Sequence, residues 1–195
     1  MEIMTVCTGN ICRSPLAEVI LATRLADLGV TVTSAGVRGL ASAPMTPEAI
    51  ALAQHFGVPD ERSGAHRSRY LTEAMLTAPD LILTMTREHR RSIAELAPAR
   101  LRSTFTVREF ARLAEAATDE QLVGAASAAG DDPAARLRAT SALIASLRGL
   151  VPNAATPDGD DVIDPYRLAW EIYVQSANEM VPALQQVERV VRLAA

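Results

Sequence analysis

A short run of small and polar residues near the N-terminus contains the side chains that phosphate chemistry requires. Residues 7–15 read Cys-Thr-Gly-Asn-Ile-Cys-Arg-Ser-Pro, with a thiol at Cys7 and a guanidinium at Arg13. A thiol attacks as the thiolate, and a helix N-terminus with a nearby arginine lowers its pKa. Arg13 can bind two phosphate oxygens at once, and the backbone N–H groups of a tight turn can surround an anion. This pattern predicts a phosphate-binding loop with Cys7 as the nucleophile.

The other loop residues have supporting roles in this interpretation. Gly9 can adopt a positive φ without steric cost, which a tight turn requires. Ser14 can donate a hydrogen bond to the sulfur and make it a better leaving group in a second step. Besides Cys7 and Arg13, the predicted phosphate-binding loop contains Thr8, Gly9, Asn10, Ile11, Cys12 and Ser14.

Three other interpretations of this loop remain open from the residues alone. Cys7 could be a small buried residue, since a bare Cys-x5-Arg spacing also arises by chance. Cys7 and Cys12 could be zinc ligands, but zinc takes four and no further His or Cys lies nearby in sequence. A nucleotide-binding loop would end in Gly-Lys-Ser/Thr, which is not present here. We therefore expect no metal and no organic cofactor.

Asp164 is a second candidate for chemistry, and it is followed by Pro165 and Tyr166. Cleavage of a phosphate monoester needs a general acid that protonates the leaving oxygen. Asp-Pro is also a common opening of a helix, so a simple turn or N-cap is the favoured interpretation from these residues alone.

Alternating strands and helices must position these groups. The periodicity predicts strands over 1–6, 30–34, 80–84 and 103–107, and helices over 15–28, 46–56, 71–78, 87–96, 109–117, 134–150 and 168–193. This order predicts an α/β fold with a four-stranded parallel sheet and helices on both faces. Cys7 then lies at the carboxyl end of the first strand, where such sheets bind ligands. Pro182 is expected to kink or split the last helix.

Length, charge and cysteine usage narrow the class of protein. A chain of 195 residues, about half of them apolar, suits one domain with a sizeable core. A net charge of -4 gives no reason to expect nucleic acid or an anionic membrane as a partner. Only two cysteines, no basic leader and no apolar run of membrane length indicate reduced thiols and a cytoplasmic location.

The segment from Val6 to Pro15 resembles the signature loop of the low-molecular-weight protein tyrosine phosphatases. The resemblance covers roughly residues 1–110 and 160–193. It implies a three-layer, flavodoxin-like domain spanning 1–195, in which Cys7 is the nucleophile, Arg13 clamps the phosphate and Asp164 is the general acid.

The same resemblance assigns supporting residues. It implies that Ser14 is the thiolate partner and that Asn10 holds the loop in shape through Ser34 in the matching Ser-Ala-Gly segment. It also implies a protective role for Cys12, as a redox partner that forms a disulfide with an oxidised Cys7. His66 is expected to be structural.

Three features depart from the family pattern. The aromatic residue that usually lines the pocket after the second strand is matched by Leu40, and Tyr166 stands alone because Arg167 occupies the next aromatic position. We predict Leu40 and Tyr166 as the pocket wall. Residues 118–160 form a helical insertion before Asp164, which either reshapes the pocket mouth or is an inert helical pair.

The expected function is hydrolysis of phosphate monoesters through a phosphocysteine, on protein phosphotyrosine or a small aryl phosphate. Related arginine phosphatases carry threonine where this chain has Ile11, so Ile11 favours an ester. Arsenate reduction with an external small thiol is an alternative, since thioredoxin-coupled reductases need cysteines beyond Cys12. A weakly active phosphate-binding relic is the other alternative.

Overall fold

Four parallel strands form the sheet of the computed structural model, which describes residues 1–156 and 158–195. They are β1 (Glu2–Cys7), β2 (Thr31–Gly36), β3 (Leu81–Thr84) and β4 (Thr104–Thr106). The sheet order is β2-β1-β3-β4, so β1 pairs on both sides and its last residue, Cys7, lies between two neighbouring strand ends. The predicted α/β fold and its four strands are confirmed.

Helices cover both faces of the sheet. They are α1 (Arg13–Arg24), α2 (Pro47–His55), α3 (Asp60–Ala65), α4 (Arg87–Leu96), α5 (Val107–Glu115), α6 (Asp119–Ala128), α7 (Pro133–Ser146) and α8 (Trp170–Ala194). One face packs against α1, α5 and α8, and the other against α4 and a short 3-10 turn. Ile3 joins the first core and Met4 the second, as expected for a strand buried on both faces.

Several helices begin as the sequence predicts. The Thr46 side chain accepts the Ala49 N–H at the start of α2, and Asp132 accepts two N–H groups at the start of α7. Helix α5 begins at Val107, two residues before the predicted start at 109, because Thr106 and Glu109 form a capping box there. These caps fix where each helix leaves its preceding strand or loop.

Other predicted boundaries were wrong. The first helix begins at Arg13, two residues before Pro15, because proline is tolerated anywhere in the first turn, where N–H groups have no intrahelical partner. It ends at Arg24, and a 3-10 turn leads to Gly29 at φ 62°. The predicted helix 71–78 is only a 3-10 turn over Glu73–Leu76, and α3 was not predicted. Pro182 does not split α8.

Residues of the predicted helical insertion, 118–160, contribute to the core. Most of the predicted range 118–160 is described, although residue 157 lies outside the described residues. Helices α6 and α7 pack against each other and against α8. Leu122, Leu137 and Ile144 are fully buried in the same cluster as α1 and α5. No helix in the described part of the chain is long and apolar enough to cross a lipid bilayer.

Candidate active site

The loop from Cys7 to Ser14 surrounds the Cys7 sulfur with hydrogen-bond donors. Cys7 ends β1 and is buried, and the Asn10 N–H lies 3.3 Å from its Sγ. The Ser14 hydroxyl lies 3.0 Å from the same sulfur, which is the contact that the sequence predicts. Because α1 begins at Arg13, its N-terminal end lies at the loop, where its dipole stabilises negative charge.

Asn10 determines the shape of the loop. It adopts a left-handed backbone with φ 56°, so the positive φ predicted at Gly9 occurs one residue later. Its side-chain amide donates to Ser14 at 3.0 Å and to Ser34 at 2.7 Å, and its oxygen accepts the Arg69 N–H at 2.8 Å. Asparagine tolerates this backbone because its short polar side chain forms such local hydrogen bonds.

Three further residues hold the loop and were not assigned this role by sequence reasoning. Arg69 contributes the N–H described above, and Glu18 accepts a hydrogen bond from Ser34. In Gly36, a Cβ atom would lie 2.6 Å from the Thr8 carbonyl oxygen, so only glycine fits beside the loop. His66 contacts the Asn10 carbonyl oxygen at 2.8 Å, which agrees with the structural role expected for it.

Arg13 and Asp164 meet at the entrance of this loop. The Arg13 side chain is 4% exposed, and its Nη2 lies 2.5 Å from the Oδ2 of Asp164, which is 49% exposed. Arg13 also donates to the Val162 carbonyl at 3.0 Å and to the Thr8 hydroxyl at 3.4 Å. The structure thus brings together the three residues predicted to be catalytic, Cys7, Arg13 and Asp164, in one cleft.

His89 contacts the loop at Thr8 and was not predicted. Its Nε2 is 2.9 Å from the Thr8 hydroxyl and its Nδ1 is 3.0 Å from the Thr86 hydroxyl. Burial, and secondly the charge of Arg13, lower the pKa of His89 to about 4, so the ring is neutral near neutral pH. A neutral ring can donate one hydrogen bond and accept the other, which orients Thr8.

The cleft above Cys7 has a volume of about 270 Å³. The predicted wall residues, Leu40 and Tyr166, both line it and are 46% and 40% exposed. Two arginines that were not predicted as wall residues, Arg38 and Arg167, line it as well. The Arg167 guanidinium lies 5.0 Å from the centre of the Tyr166 ring, so this wall is a stacked cation and aromatic pair.

Cys12 is buried and lines the same cleft as Cys7. Its sulfur is 3.6 Å from the Thr46 hydroxyl and 3.6 Å from the Tyr173 hydroxyl, and burial raises its pKa. Neither cysteine is in a disulfide. Within residues 1–156 and 158–195, no three His, Cys, Asp or Glu side chains are placed to share a metal ion.

Arginines from α4 and α5 anchor the segment that leads to Asp164. Arg112 contacts both carboxylate oxygens of Asp160, at 3.1 and 2.7 Å. Arg87 binds Asp161 in the same two-pronged way, and Arg108 donates to the Asp161 carbonyl at 2.8 Å. The insertion therefore returns to the sheet through ion pairs directly before the predicted general acid.

Comparisons with known proteins agree with this geometry. The sequence profile of the low molecular weight phosphotyrosine protein phosphatases matches residues 2–122. The chain is 37% identical to a probable low molecular weight protein-tyrosine-phosphatase, EpsP, of Ralstonia nicotianae, over 55% of this chain and 71% of that protein. It is 35% identical to a protein-arginine-phosphatase of Bacillus subtilis, over 56% and 72%.

A solved structure extends the likeness to nearly the whole chain. A C7S mutant of the arginine phosphatase YwlE, with a phosphorylated active-site serine, superposes with a TM-score of 0.67 at 25% identity. The match covers 98% of this chain and 96% of that one. The chain therefore belongs to the low molecular weight phosphotyrosine protein phosphatase family, whose members are cysteine-dependent protein phosphatases.

Proposed function

We propose that this chain hydrolyses phosphotyrosine in proteins through a phosphocysteine formed on Cys7. The observation that carries the proposal is the common cleft: the Cys7 sulfur, the Arg13 guanidinium and the Asp164 carboxylate line one cavity of about 270 Å³. A nucleophile, an anion clamp and an acid are the three groups that transfer of a phosphoryl group to a thiol requires.

In the first step the Cys7 thiolate attacks phosphorus. The S–P bond forms as the bond between phosphorus and the leaving oxygen breaks, and Asp164 gives that oxygen a proton. The guanidinium of Arg13 binds two equatorial oxygens and stabilises their charge in the transition state. A phosphate dianion competes with Asp164 for Arg13, which frees the carboxylate to carry the proton.

In the second step water attacks phosphorus and the S–P bond breaks. The Asp164 carboxylate accepts the proton of that water, and phosphate leaves. The hydroxyl of Ser14, 3.0 Å from the sulfur, stabilises the departing thiolate. The phosphorylated serine of the YwlE mutant supports the assignment, because in that protein the phosphate is on the residue that replaces the active-site cysteine.

The lining of the cleft favours phosphotyrosine over phosphoarginine. Phosphoarginine carries a guanidinium, which needs a carboxylate beside the transferred group. Asp164 is the one carboxylate among the described residues lining the cleft, and the proposed mechanism uses it for proton transfer to the leaving group. Leu40 and Tyr166 instead provide apolar surface for a phenyl ring. Ile11 in the lining agrees with this choice.

The test is turnover of p-nitrophenyl phosphate and of phosphotyrosine, phosphoserine and phosphoarginine peptides, all in chelator. We expect the phosphotyrosine peptide to have the highest kcat/KM of the three peptides. We expect Cys7→Ser to lower kcat by several decades, on the order of the loss for a missing nucleophile. Preference for phosphoarginine would overturn the substrate class. Thiol-dependent arsenate consumption, or phosphate binding without any turnover, would overturn the reaction.

A second arm of the test addresses the acid. Asp164→Asn keeps the shape but has no proton to donate, so the loss in kcat should grow with the pKa of the leaving group. We expect a larger loss for tyrosyl than for p-nitrophenyl phosphate. Equal losses would mean that Asp164 is only a turn residue, which accepts the Tyr166 N–H at 3.2 Å.

We also propose that Cys12 protects Cys7 from irreversible oxidation. An oxidised Cys7 sulfenic acid condenses with the Cys12 thiol, and the products are a disulfide and water. Mild peroxide should inactivate the protein reversibly, with the Cys7–Cys12 disulfide visible by mass spectrometry. Cys12→Ser should inactivate irreversibly; full recovery of that variant with dithiothreitol would remove the role.

A further inference from the structure

Two exposed arginines lie at the mouth of the cleft. Arg38 follows β2, and its backbone N–H donates to the Thr8 carbonyl at 2.9 Å, which ties it to the phosphate loop. Arg167 has a left-handed backbone with φ 63° and lies over the ring of Tyr166. Neither residue takes part in the chemistry described above, and both line the same cleft as Cys7.

The charge of these two arginines is not compensated within the fold. Neither Arg38 nor Arg167 forms an ion pair with any residue that the structure describes. Asp164, the carboxylate of the cleft, is committed to Arg13 at 2.5 Å. Since the whole chain carries a net charge of -4, the positive mouth is a local feature.

The other side of the Arg13–Asp164 pair has the opposite character. There a second cavity of about 500 Å³ is lined by Glu88, Asp158, Asp161 and Glu179. Arg87 and Arg108 compensate part of this charge through Asp161 and Glu179. The two sides of the catalytic pair thus differ in sign, and only the side of Arg38 and Arg167 attracts carboxylates.

We propose that Arg38 and Arg167 recognise acidic side chains that flank the phosphotyrosine of the substrate. The phosphate loop holds the phosphoryl group, and residues next to the phosphotyrosine then reach the mouth. A guanidinium presents a planar fork that fits a carboxylate. Because both arginines are exposed, each pair should contribute a modest factor, about two- to fivefold in kcat/KM. This inference rests on the proposed function in one respect: the residue that enters the cleft is taken to be phosphotyrosine.

The experiment compares three phosphotyrosine peptides of equal length with glutamate, glutamine or arginine flanks. We expect kcat/KM to fall in that order, and the ratio of the acidic to the basic peptide to shrink with added salt. Arg38→Gln with Arg167→Gln should bring this ratio close to one. Arg102→Gln is the matched control, since Arg102 is an exposed arginine preceding β4, at the other end of the sheet, and it should keep the ratio.

A binding measurement separates this inference from the proposed function. In a Cys7→Ala background, which has no nucleophile at this position, the dissociation constants of the three peptides give the same selectivity ratio without any transfer of the phosphoryl group. A ratio within about twofold of one, or a ratio that survives the double substitution, would overturn the role of the arginines even if phosphotyrosine is hydrolysed. If the acidic peptide binds clearly more tightly than the basic one but the wild type hydrolyses none of the peptides, the proposed function alone would be overturned.

Discussion

The two halves of the candidate site are built in different ways. In the phosphate loop, Asn10, Ser14 and Ser34 are fully buried and connected by short hydrogen bonds between neutral side chains. In the acid segment, residues 158–167, Asp160 and Asp161 are held by partly exposed arginines, whereas Asp164, itself half exposed, pairs with the buried Arg13. Buried, satisfied networks are rigid, whereas exposed ion pairs are weak. The nucleophile is therefore fixed by the fold, while the segment that leads to the acid is held by adjustable contacts.

The largest effect should follow from breaking the buried network at Asn10. Asn10→Ala leaves the buried hydrogen-bond partners of Asn10 unpaired and places alanine at φ 56° without a side chain that can form local hydrogen bonds. We therefore expect the free energy of unfolding to fall by about 3–5 kcal/mol. Asn10→Gly should recover about 1 kcal/mol of that, because glycine accepts the backbone but restores no hydrogen bond. Denaturant unfolding measures both, and near-native stability of Asn10→Ala would contradict a rigid loop.

A second test introduces a larger side chain at Gly36, the last residue of β2, next to the phosphate loop. Gly36→Ala would place a Cβ 2.6 Å from the Thr8 carbonyl oxygen, so the loop must shift. We expect a loss of about 1–3 kcal/mol in stability and a clear fall in kcat for p-nitrophenyl phosphate. Gly64→Ala is the matched control, since no atom lies within 4 Å of its Cβ. Equal activity of the two variants would show that the loop tolerates displacement.

The pH dependence of stability tests the hydrogen bonds by which His89 holds Thr8 and Thr86. Its pKa is lowered from 6.5 to about 4, so the unfolded chain binds the proton first as the pH falls. Stability should therefore be lost below the unfolded pKa, by about 2 kcal/mol at about pH 5, and the loss should level off below the folded value. His89→Gln should remove this part of the pH dependence, and exposed His55→Gln should not. Identical pH profiles for His89→Gln and His55→Gln would show that His89 does not cause this loss of stability.

The same contrast explains what the sequence could and could not predict. Cys7, Arg13, Asn10 and Ser14 lie in one contiguous motif. Residue types and spacing indicate the roles of Cys7, Arg13 and Ser14, whereas the role of Asn10 follows from the family resemblance. The roles of His89, Arg69 and Gly36 depend on how separate strand ends meet, which no local pattern records. The motif even led to a wrong detail, since the positive φ expected at Gly9 belongs to Asn10.

Ion pairs between residues far apart in sequence also cannot be predicted from local sequence patterns. Nothing in the spacing of Arg112 and Asp160 indicates that they meet, because the whole helical insertion lies between them. The sequence predicts helices over 118–160 but does not indicate whether this segment contacts the site. In the structure its last residue, Asp160, is bound to α5, and the next residue, Asp161, is bound to α4.

The smallest expected effect comes from loosening the acid segment at Arg112 and Asp160, and it is the sharpest test of the contrast. A double-mutant cycle with Arg112→Gln and Asp160→Asn should give a coupling of about 0.5–1 kcal/mol in stability, since the pair is two-pronged but partly exposed. Because Asp164 would then be held less firmly, kcat should fall about two- to fivefold for tyrosyl phosphate and less for p-nitrophenyl phosphate. Arg189→Gln, which breaks the Arg189–Asp119 pair between α8 and α6, should lower stability without changing that selectivity. If Arg112→Gln and Asp160→Asn leave the leaving-group selectivity as unchanged as Arg189→Gln does, the acid segment is as rigid as the phosphate loop. The distinction between the two halves of the site then fails.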